Sequence, residues 1–288
     1  MANLPARSKT VAKPRERRAR DVRSILKELE RHGSARFRAD MPVRYGIVTK
    51  DRVIGVSMAR LKLTARKLGR DHALAARLWA SGVYEGRMLA SMVAEPERLT
   101  AAQMDRWAHD FDNWAVVDTM CFNLFDRSPH AFAKVTKWAK SKDEFVKRAA
   151  FALLACLALH RRASEEDLLR ALPLLECAAT DDRNFVKKAV SWALRAIGTK
   201  AGPKARTAAR ELANRLAASD QPSARWIGKD ARRVQTSNPP NKIDAISNAT
   251  PRLNTVAAPN TTTGRQPSAS SFVIRNSKPM LTNARMRK

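Results

Sequence analysis

Trp114 and Asp118 are the two residues of this 288-residue chain whose types and spacing first suggest chemistry. They stand four positions apart in the segment FDNWAVVDTM, which has the pattern of a buried helix, so both side chains are expected on one helical face. An indole face attracts cations, and a fixed carboxylate stabilises positive charge that develops beside it. The alternative interpretation is structural, a core tryptophan next to an acid that caps or pairs with an adjacent helix.

The elements around this pair are predicted to be helices. From about residue 17 to residue 233 almost every segment has helical periodicity, and no stretch shows the sustained alternation typical of strands. Helices are predicted at 18–33, 52–68, 71–81, 84–94, 99–109, 112–126, 129–140, 143–160, 164–179, 184–197, 203–218 and 221–234.

One internal repeat indicates which all-α architecture to expect. The sequence FVKRA at residues 145–149 recurs as FVKKA at residues 185–189, an offset of 40, and each copy begins a helix followed by a second amphipathic one. Such an offset with paired helices is typical of a HEAT-like solenoid, whose hairpins bury their faces against their neighbours. The predicted fold is an all-α, HEAT-like α-solenoid of stacked antiparallel helix pairs with a basic concave face.

The charge of the chain indicates a polyanionic partner. Lys and Arg number 55 against 27 Asp and Glu, for a net charge of +28, so nucleic acid is the expected ligand and an anionic membrane surface a weaker alternative. The longest apolar run, residues 149–159, is shorter than the roughly 20 residues that a membrane span requires. The basic N-terminus lacks the apolar segment of a secretory signal. We therefore expect a cytoplasmic protein without a membrane partner, associated with the nucleoid through DNA.

Cysteines and histidines indicate no metal chemistry. Cys121, Cys156 and Cys177 lie among apolar residues in helical patterns and are expected to be free buried thiols. The five histidines are scattered and form no metal-ligand spacing. No metal and no cofactor are expected.

The repeat places two further residues near the opening pair. Arg148 lies in the first copy and Trp192 follows the second, and similar depths in successive hairpins face one groove, so both could converge with Trp114 and Asp118. Such a cluster suits alkylated DNA, because a purine methylated at N3 or N7 is a cation and already a good leaving group. The tryptophans would face the cation, and the carboxylate would stabilise positive charge on the deoxyribose and orient water. Arg148 would bind a backbone phosphate and keep the acid ionised.

Five segments between about residues 44 and 233 carry a family resemblance: HALAARLWASGVYEGRMLASMV, WAHDFDNWAVVDTMCFNLF, FVKRAAFALLA, DDRNFVKKAVSWALRAIG and ARWIGKDA. The chain resembles the AlkD-like DNA alkylation-repair glycosylases, HEAT-like repeat proteins that excise positively charged alkylpurines. The resemblance implies that Trp114 and Asp118 are the family's tryptophan and catalytic aspartate. It also implies that Arg148 is the phosphate-binding arginine and Trp192 the second DNA-facing tryptophan.

The resemblance implies an enzyme, a DNA-alkylpurine N-glycosylase that acts on double-stranded alkylated DNA, with 3-methyladenine and 7-methylguanine as bases released. It also implies excision without full base flipping. Tyr45 corresponds loosely to a tyrosine near the start of the family's domain. Ala115 stands where the family usually has an acid, which leaves open an altered substrate choice or a protein that binds distorted or branched DNA without catalysis. A protein–protein scaffold is a further alternative, and a monomer is expected.

Other residues receive auxiliary or structural roles. Auxiliary phosphate contacts are assigned to Lys147, Lys187 and Lys188, and Trp226 is assigned either to packing or to DNA. Core packing is expected for Trp79, Trp107 and Trp138. Tyr84, Glu85 and Arg87 are expected to tie hairpins together, with a second catalytic acid as the alternative for Glu85, and Asp112 and Asn113 are expected to cap the helix that carries Asp118.

Three regions are predicted along the chain. Residues 1–16 form a basic disordered arm, residues 17–234 the HEAT-like repeat domain, and residues 235–288 a disordered basic tail with eight Lys or Arg and one acid. The arm and tail would add phosphate attraction that is independent of sequence and weakens with salt. The alternative for the tail is a solvated segment of no particular function.

Overall fold

The computed structural model describes residues 21–237, and side chains up to residue 233. The predicted arm at 1–16 and nearly all of the predicted tail at 235–288 lie outside the described residues. Within them the chain forms helices joined by short loops, which confirms the all-α prediction. The helices are α1 Val22–Glu30, α2 Ala35–Tyr45, α3 Met58–Leu68, α4 His72–Trp79, α5 Tyr84–Val93, α6 Ala101–His109, α7 Trp114–Asn123, α8 Ala131–Trp138, α9 Glu144–Leu159, α10 Glu165–Ala178, α11 Asn184–Lys200, α12 Pro203–Ala217 and α13 Pro222–Ser237, with single 3-10 turns at Pro96–Arg98 and Phe125–Arg127.

The helices are arranged in two layers. Helices α3, α5, α7, α9, α11 and α13 contact one another in series, and we call them the odd-numbered layer. Helices α8, α10 and α12 contact one another in the same way behind them. Each hairpin therefore packs against the hairpins before and after it, as in a solenoid.

The 40-residue repeat seen in the sequence is a stacking repeat in the structure. The rings of Phe145 and Phe185, equivalent positions of the two copies, lie 5.2 Å apart between centroids. One hairpin further on, the Glu165 carboxylate accepts a hydrogen bond from the Ala205 amide at 3.0 Å. Positions 40 residues apart thus contact each other in successive hairpins.

Helix α9 is the centre of the stack. Its apolar sequence is buried without interruption from Arg148 to Ala158, because α7 and α11 flank it and α8 packs behind it. Only its two ends are accessible, at Phe145 and Lys147 and again at Leu159 and His160. Chemistry on the odd-numbered layer must therefore come from its flanking helices and from these two ends.

Two helix predictions near the N-terminus were wrong. Helix α2 was not predicted, because it contains Pro42 and buries only Met41, so it lacks an apolar stripe. Residues 52–57 were predicted as helix but form a loop, and their apolar pattern reflects packing of Ile54 and Val56 in the core. The Glu85 carboxylate holds this loop by accepting three backbone N–H groups, from Ile54, Gly55 and Val56, at 2.7 to 3.1 Å.

The core tryptophans lie where the sequence predicts. Trp79, Trp107 and Trp138 are buried, and the first two stack with centroids 4.9 Å apart. Arg87 ties segments together as expected, through Asp51 at 2.6 Å and the Asp110 carbonyl at 2.8 Å. In contrast to the prediction, Cys177 is exposed, whereas Cys121 and Cys156 are buried. No helix between residues 21 and 237 is long and apolar enough to cross a membrane.

Candidate functional site

The start of α7 is fixed by two neighbouring polar residues with different partners. Asn113 is the N-cap and accepts a hydrogen bond from the Val116 amide at 3.0 Å. Asp112 does not cap the helix, because its carboxylate binds the preceding loop through the Thr49 hydroxyl and the Lys50 amide, both within 3.0 Å. The helix is thereby anchored to a loop more than 60 positions earlier in the sequence.

Helix α7 exposes one narrow stripe. Its accessible residues are Trp114, Asp118, Thr119, Phe122 and Asn123, and the rest of the helix is buried. The spacing of four that joins Trp114, Asp118 and Phe122 puts their side chains in a row along the axis. The Trp114 indole is oriented by a hydrogen bond to the Tyr45 carbonyl at 3.1 Å, which brings two predicted site residues together.

Asp118 and Arg148 form a bidentate ion pair. Arg148 Nε donates to Asp118 Oδ1 at 3.1 Å and Nη2 donates to Oδ2 at 2.7 Å. A third donor, Nη1, binds the Phe185 carbonyl at 2.7 Å, so the guanidinium joins α7, α9 and α11. The Arg148 side chain is only 7% exposed, whereas that of Asp118 is 22% exposed. The carboxylate, rather than the guanidinium, is therefore the accessible partner.

Opposed effects act on the pKa of Asp118. Burial raises the pKa of its carboxyl group above the ordinary value, and the charge and hydrogen bonds of Arg148 lower it only in part. A carboxylate in this environment is poorly hydrated and held in one orientation. Such a group interacts more strongly with a nearby cation than a solvated one does.

Trp192 lies on the accessible face of α11, together with Phe185, Lys188 and Arg195. It is half-buried against the core, two turns and about 10 Å beyond the Phe185 carbonyl that Arg148 binds. No hydrogen bond or ring contact joins Trp192 to Trp114 or Asp118 within residues 21–237. The structure thus pairs Trp114 with Tyr45 and Asp118 with Arg148, and places Trp192 on α11, on the other side of α9 from α7.

The predicted basic contacts differ in their surroundings. Lys147 is half-buried and pairs with Asp181 at 3.0 Å, and Lys188 is exposed. Lys187 lies over the ring of Trp226 at 5.2 Å, and that ring remains 40% exposed. The Lys187–Trp226 pair and Lys188 are the accessible cationic features, whereas Lys147 is already neutralised.

Sequence reasoning missed two features of this region. The first is the contact between Arg148 and the Phe185 carbonyl, which is a backbone group and cannot be predicted from residue type. Phe122 is an exposed aromatic residue one turn after Asp118, and its spacing in the sequence was a signal that could have identified it.

A solvent-accessible groove of about 400 Å³ lies away from this site, between α1 and the start of α5. It is lined by Val22, Arg23, Leu26, Lys27, Glu30, Arg52, Ser81 and Val83. The part of the chain that the structure describes contains no group of His, Cys, Asp or Glu able to hold a metal ion.

Comparison with known proteins identifies the fold and the family of the chain. A solved structure superposes with a TM-score of 0.62 at 20% identity, covering 75% of this chain and 96% of its own. It is described as a member of a new family of proteins related to the HEAT-like repeat DNA glycosylases with affinity for branched DNA structures. At this identity the similarity shows the fold alone, and it confirms the HEAT-like prediction. No curated protein sequence matches the chain. The family model described as DNA alkylation repair enzyme matches residues 25–232, and the chain therefore belongs to the DNA alkylation repair enzyme family.

Proposed function

We propose that this protein binds duplex DNA across the odd-numbered layer and hydrolyses the N-glycosidic bond of cationic alkylated purines. The bases released are of the 3-methyladenine and 7-methylguanine type. Asp118 is the catalytic carboxylate, Trp114 and Trp192 contact the charged nucleotide, and Arg148 holds the acid.

The observation that carries the proposal is the state of Asp118. Its carboxylate is anchored by two charge-assisted hydrogen bonds from a buried guanidinium, yet it retains an accessible edge in the exposed stripe of α7. The bidentate contact fixes the position of both oxygens and offsets part of the cost of burying the charge. A fixed, desolvated carboxylate is what a developing positive charge on deoxyribose requires.

The chemistry needs little else from the protein. An alkylated purine that carries a positive charge leaves as a neutral base, so no general acid is required. The glycosidic bond breaks with both electrons going to the base, and water then adds to the sugar cation and loses a proton. Asp118 stabilises that cation and accepts a hydrogen bond from the water. The Trp114 ring, fixed by the Tyr45 carbonyl, lies one helical turn away for contact with the cationic nucleotide.

The surroundings fit a DNA backbone held across the layer. Lys188 is exposed on the face of α11 that carries Trp192, and the Lys187–Trp226 pair offers a cation on α11 and a ring on α13. The Asp118 side chain lies on the exposed stripe of α7 and is 22% exposed, so it can be reached from the helix surface, which is compatible with excision without full base flipping. Arg148 has all three nitrogen positions engaged, so we assign it first to positioning the acid and only second to phosphate contact.

Base release from methylated duplex DNA tests the proposal. We expect wild-type protein to release methylated purines, and Asp118→Asn to reduce the single-turnover rate by about 100-fold or more while duplex affinity is kept. Asp220→Asn is the matched control, because Asp220 is an exposed acid outside the site. Duplex binding without release of any methylated base would end the enzymatic proposal.

A non-catalytic DNA-binding protein is the second candidate. It is favoured by the fact that Asp118 and Arg148 satisfy each other and join three helices, which is a structural role in its own right. Ala115 is buried and supplies no second acid beside Trp114. In that case Asp118→Asn would lower stability, and the wild-type protein would prefer branched over linear DNA without releasing a base.

A further inference from the structure

A second cluster of functional side chains lies where α7 and α9 end. The Asp126 carboxylate is buried in the turn after α7, and its Oδ2 accepts His160 Nδ1 at 2.5 Å and pairs with Arg162 Nε at 3.1 Å. The Phe122 ring packs edge-on against His160 with centroids 4.5 Å apart. We call Phe122, Asp126, His160, Arg161 and Arg162 the α9-end cluster.

The outer side of the cluster is open. Phe122 and the Arg162 side chain are each 39% exposed, Arg161 is exposed, and His160 is partly so. Asp126 contacts His160 through Nδ1 and Arg162 through Nε, which leaves His160 Nε2 and the Arg162 Nη groups for other partners. Arg127, next to Asp126, is exposed as well. The cluster therefore presents an aromatic ring beside exposed arginines, and one buried acid orients His160 and Arg162.

The backbone beneath the cluster adds an independent observation. Helix α9 ends in a Schellman motif, in which the Arg162 amide bonds the Leu157 carbonyl at 2.8 Å and the Arg161 amide bonds that of Ala158 at 3.3 Å. Arg161 occupies the left-handed position with φ of 54°, which is usually glycine. It is the only non-glycine residue with positive φ between residues 21 and 237. An arginine held there against its backbone preference indicates a use for its side chain.

The cluster lies within reach of a duplex bound at Asp118. Phe122 follows Asp118 by one turn on the same exposed stripe, a rise of about 6 Å. A DNA groove is about 6 to 12 Å wide, so a duplex whose deoxyribose lies at Asp118 also covers Phe122. The side chains around Phe122 would then contact the adjoining sugar–phosphate backbone of the DNA.

We propose that the α9-end cluster is a second nucleotide-binding site, in which Phe122 packs against a sugar or base next to the lesion and His160, Arg161 and Arg162 bind the flanking phosphates. Asp126 is a positioning residue, because it touches only the groups that would touch DNA. The inference rests on the proposed function in one respect, that DNA lies along the α7 stripe.

Duplex binding by full-length variants, measured by fluorescence anisotropy over a range of salt concentrations, tests this site. Arg161→Gly combined with Arg162→Gln is expected to weaken binding about tenfold and to reduce the slope of log affinity against log salt by about one to two. Arg161→Gly alone should raise the melting temperature, because glycine suits the left-handed position, and should still weaken binding. Arg170→Gln is the matched control, since Arg170 is an exposed arginine on α10 outside the odd-numbered layer.

A separate pair of variants tests the aromatic contact of Phe122. Phe122→Ala should weaken duplex binding about tenfold, because base or sugar packing on the ring is lost. Val43→Ala, which shortens an exposed apolar residue on α2, outside the odd-numbered layer, should leave binding unchanged.

The outcomes separate this site from catalysis at Asp118. Variants of the cluster should leave the single-turnover rate at saturating protein intact, whereas Asp118→Asn should remove that rate and leave the salt slope intact. Cluster variants that bind with the affinity and slope of Arg170→Gln would overturn the second site and leave the proposed function standing. A wild-type protein that shows the cluster-dependent slope but releases no base would support the site and defeat the glycosylase.

Discussion

At Asp118, burial and ion pairing act in opposite directions on one carboxyl group. Burial raises its pKa, and Arg148 lowers it, with burial the larger effect. Because the folded pKa lies above the unfolded value, the native state binds the proton more tightly, and the stability contributed by this group falls as pH rises through the folded pKa. The two hydrogen bonds from Arg148 offset part of the cost of a charged carboxylate at this buried position, which is consistent with a functional use of the charge.

The pH profile of base release follows from this balance. The proposed reaction requires the carboxylate, so the single-turnover rate should fall as pH drops through the raised pKa of Asp118. Arg148→Met removes the cation that lowers this pKa, so the acid limb should move to higher pH, and thermal stability should drop more at neutral than at acidic pH. Lys188→Met, which removes an exposed cation, should leave the acid limb in place. An unchanged limb in Arg148→Met would mean that another group titrates.

At the scale of elements, long helices were predictable and irregular segments were not. Helix α9 was predicted nearly to its ends because its apolar residues and its Asp143 cap are local signals. The helix prediction for residues 52–57 was wrong because Glu85, about 30 positions away, accepts the backbone hydrogen bonds that a helix would otherwise satisfy. Similarly, the sequence predicts Asp118 and Arg148 as neighbours, but the burial of Arg148 depends on its bond to the Phe185 carbonyl of a third helix.

Glu85 is accordingly predicted to be a structural residue. Its carboxylate is fully buried and accepts three backbone N–H groups. Glu85→Gln replaces one acceptor oxygen by a donor and leaves at least one buried N–H unpaired, which should cost about 2 to 3 kcal/mol of unfolding free energy. Chemical denaturation measures this, with Glu97→Gln, an exposed acid, as the control. The rate of base release per folded molecule should not change. A loss of that rate without a loss of stability would instead favour a catalytic Glu85.

At the scale of the whole molecule, positive charge is unevenly distributed. Residues 1–20 and 238–288 hold 15 of the 55 Lys and Arg but only 2 of the 27 acids, so they contribute +13 of the net charge of +28. The remaining residues contain the family match at 25–232 and every residue of the proposed site. The other residues carry the remaining +15, so under the proposed function the two terminal segments and residues 21–237 share the general attraction to DNA, while contact with the lesion belongs to residues 21–237.

Removing residues 1–20 and 238–288 should separate these two contributions. The shortened protein should bind duplex DNA more weakly and with a smaller salt slope, because fewer counterions are released from the phosphates. Its single-turnover rate at saturating concentration should match that of the full chain, since Asp118, Arg148 and Trp114 are all retained. If the shortened protein loses duplex binding altogether, the affinity resides outside residues 21–237. The odd-numbered layer would then be a scaffold surface rather than a DNA interface, and the exposed stripe of α7 would need a different ligand.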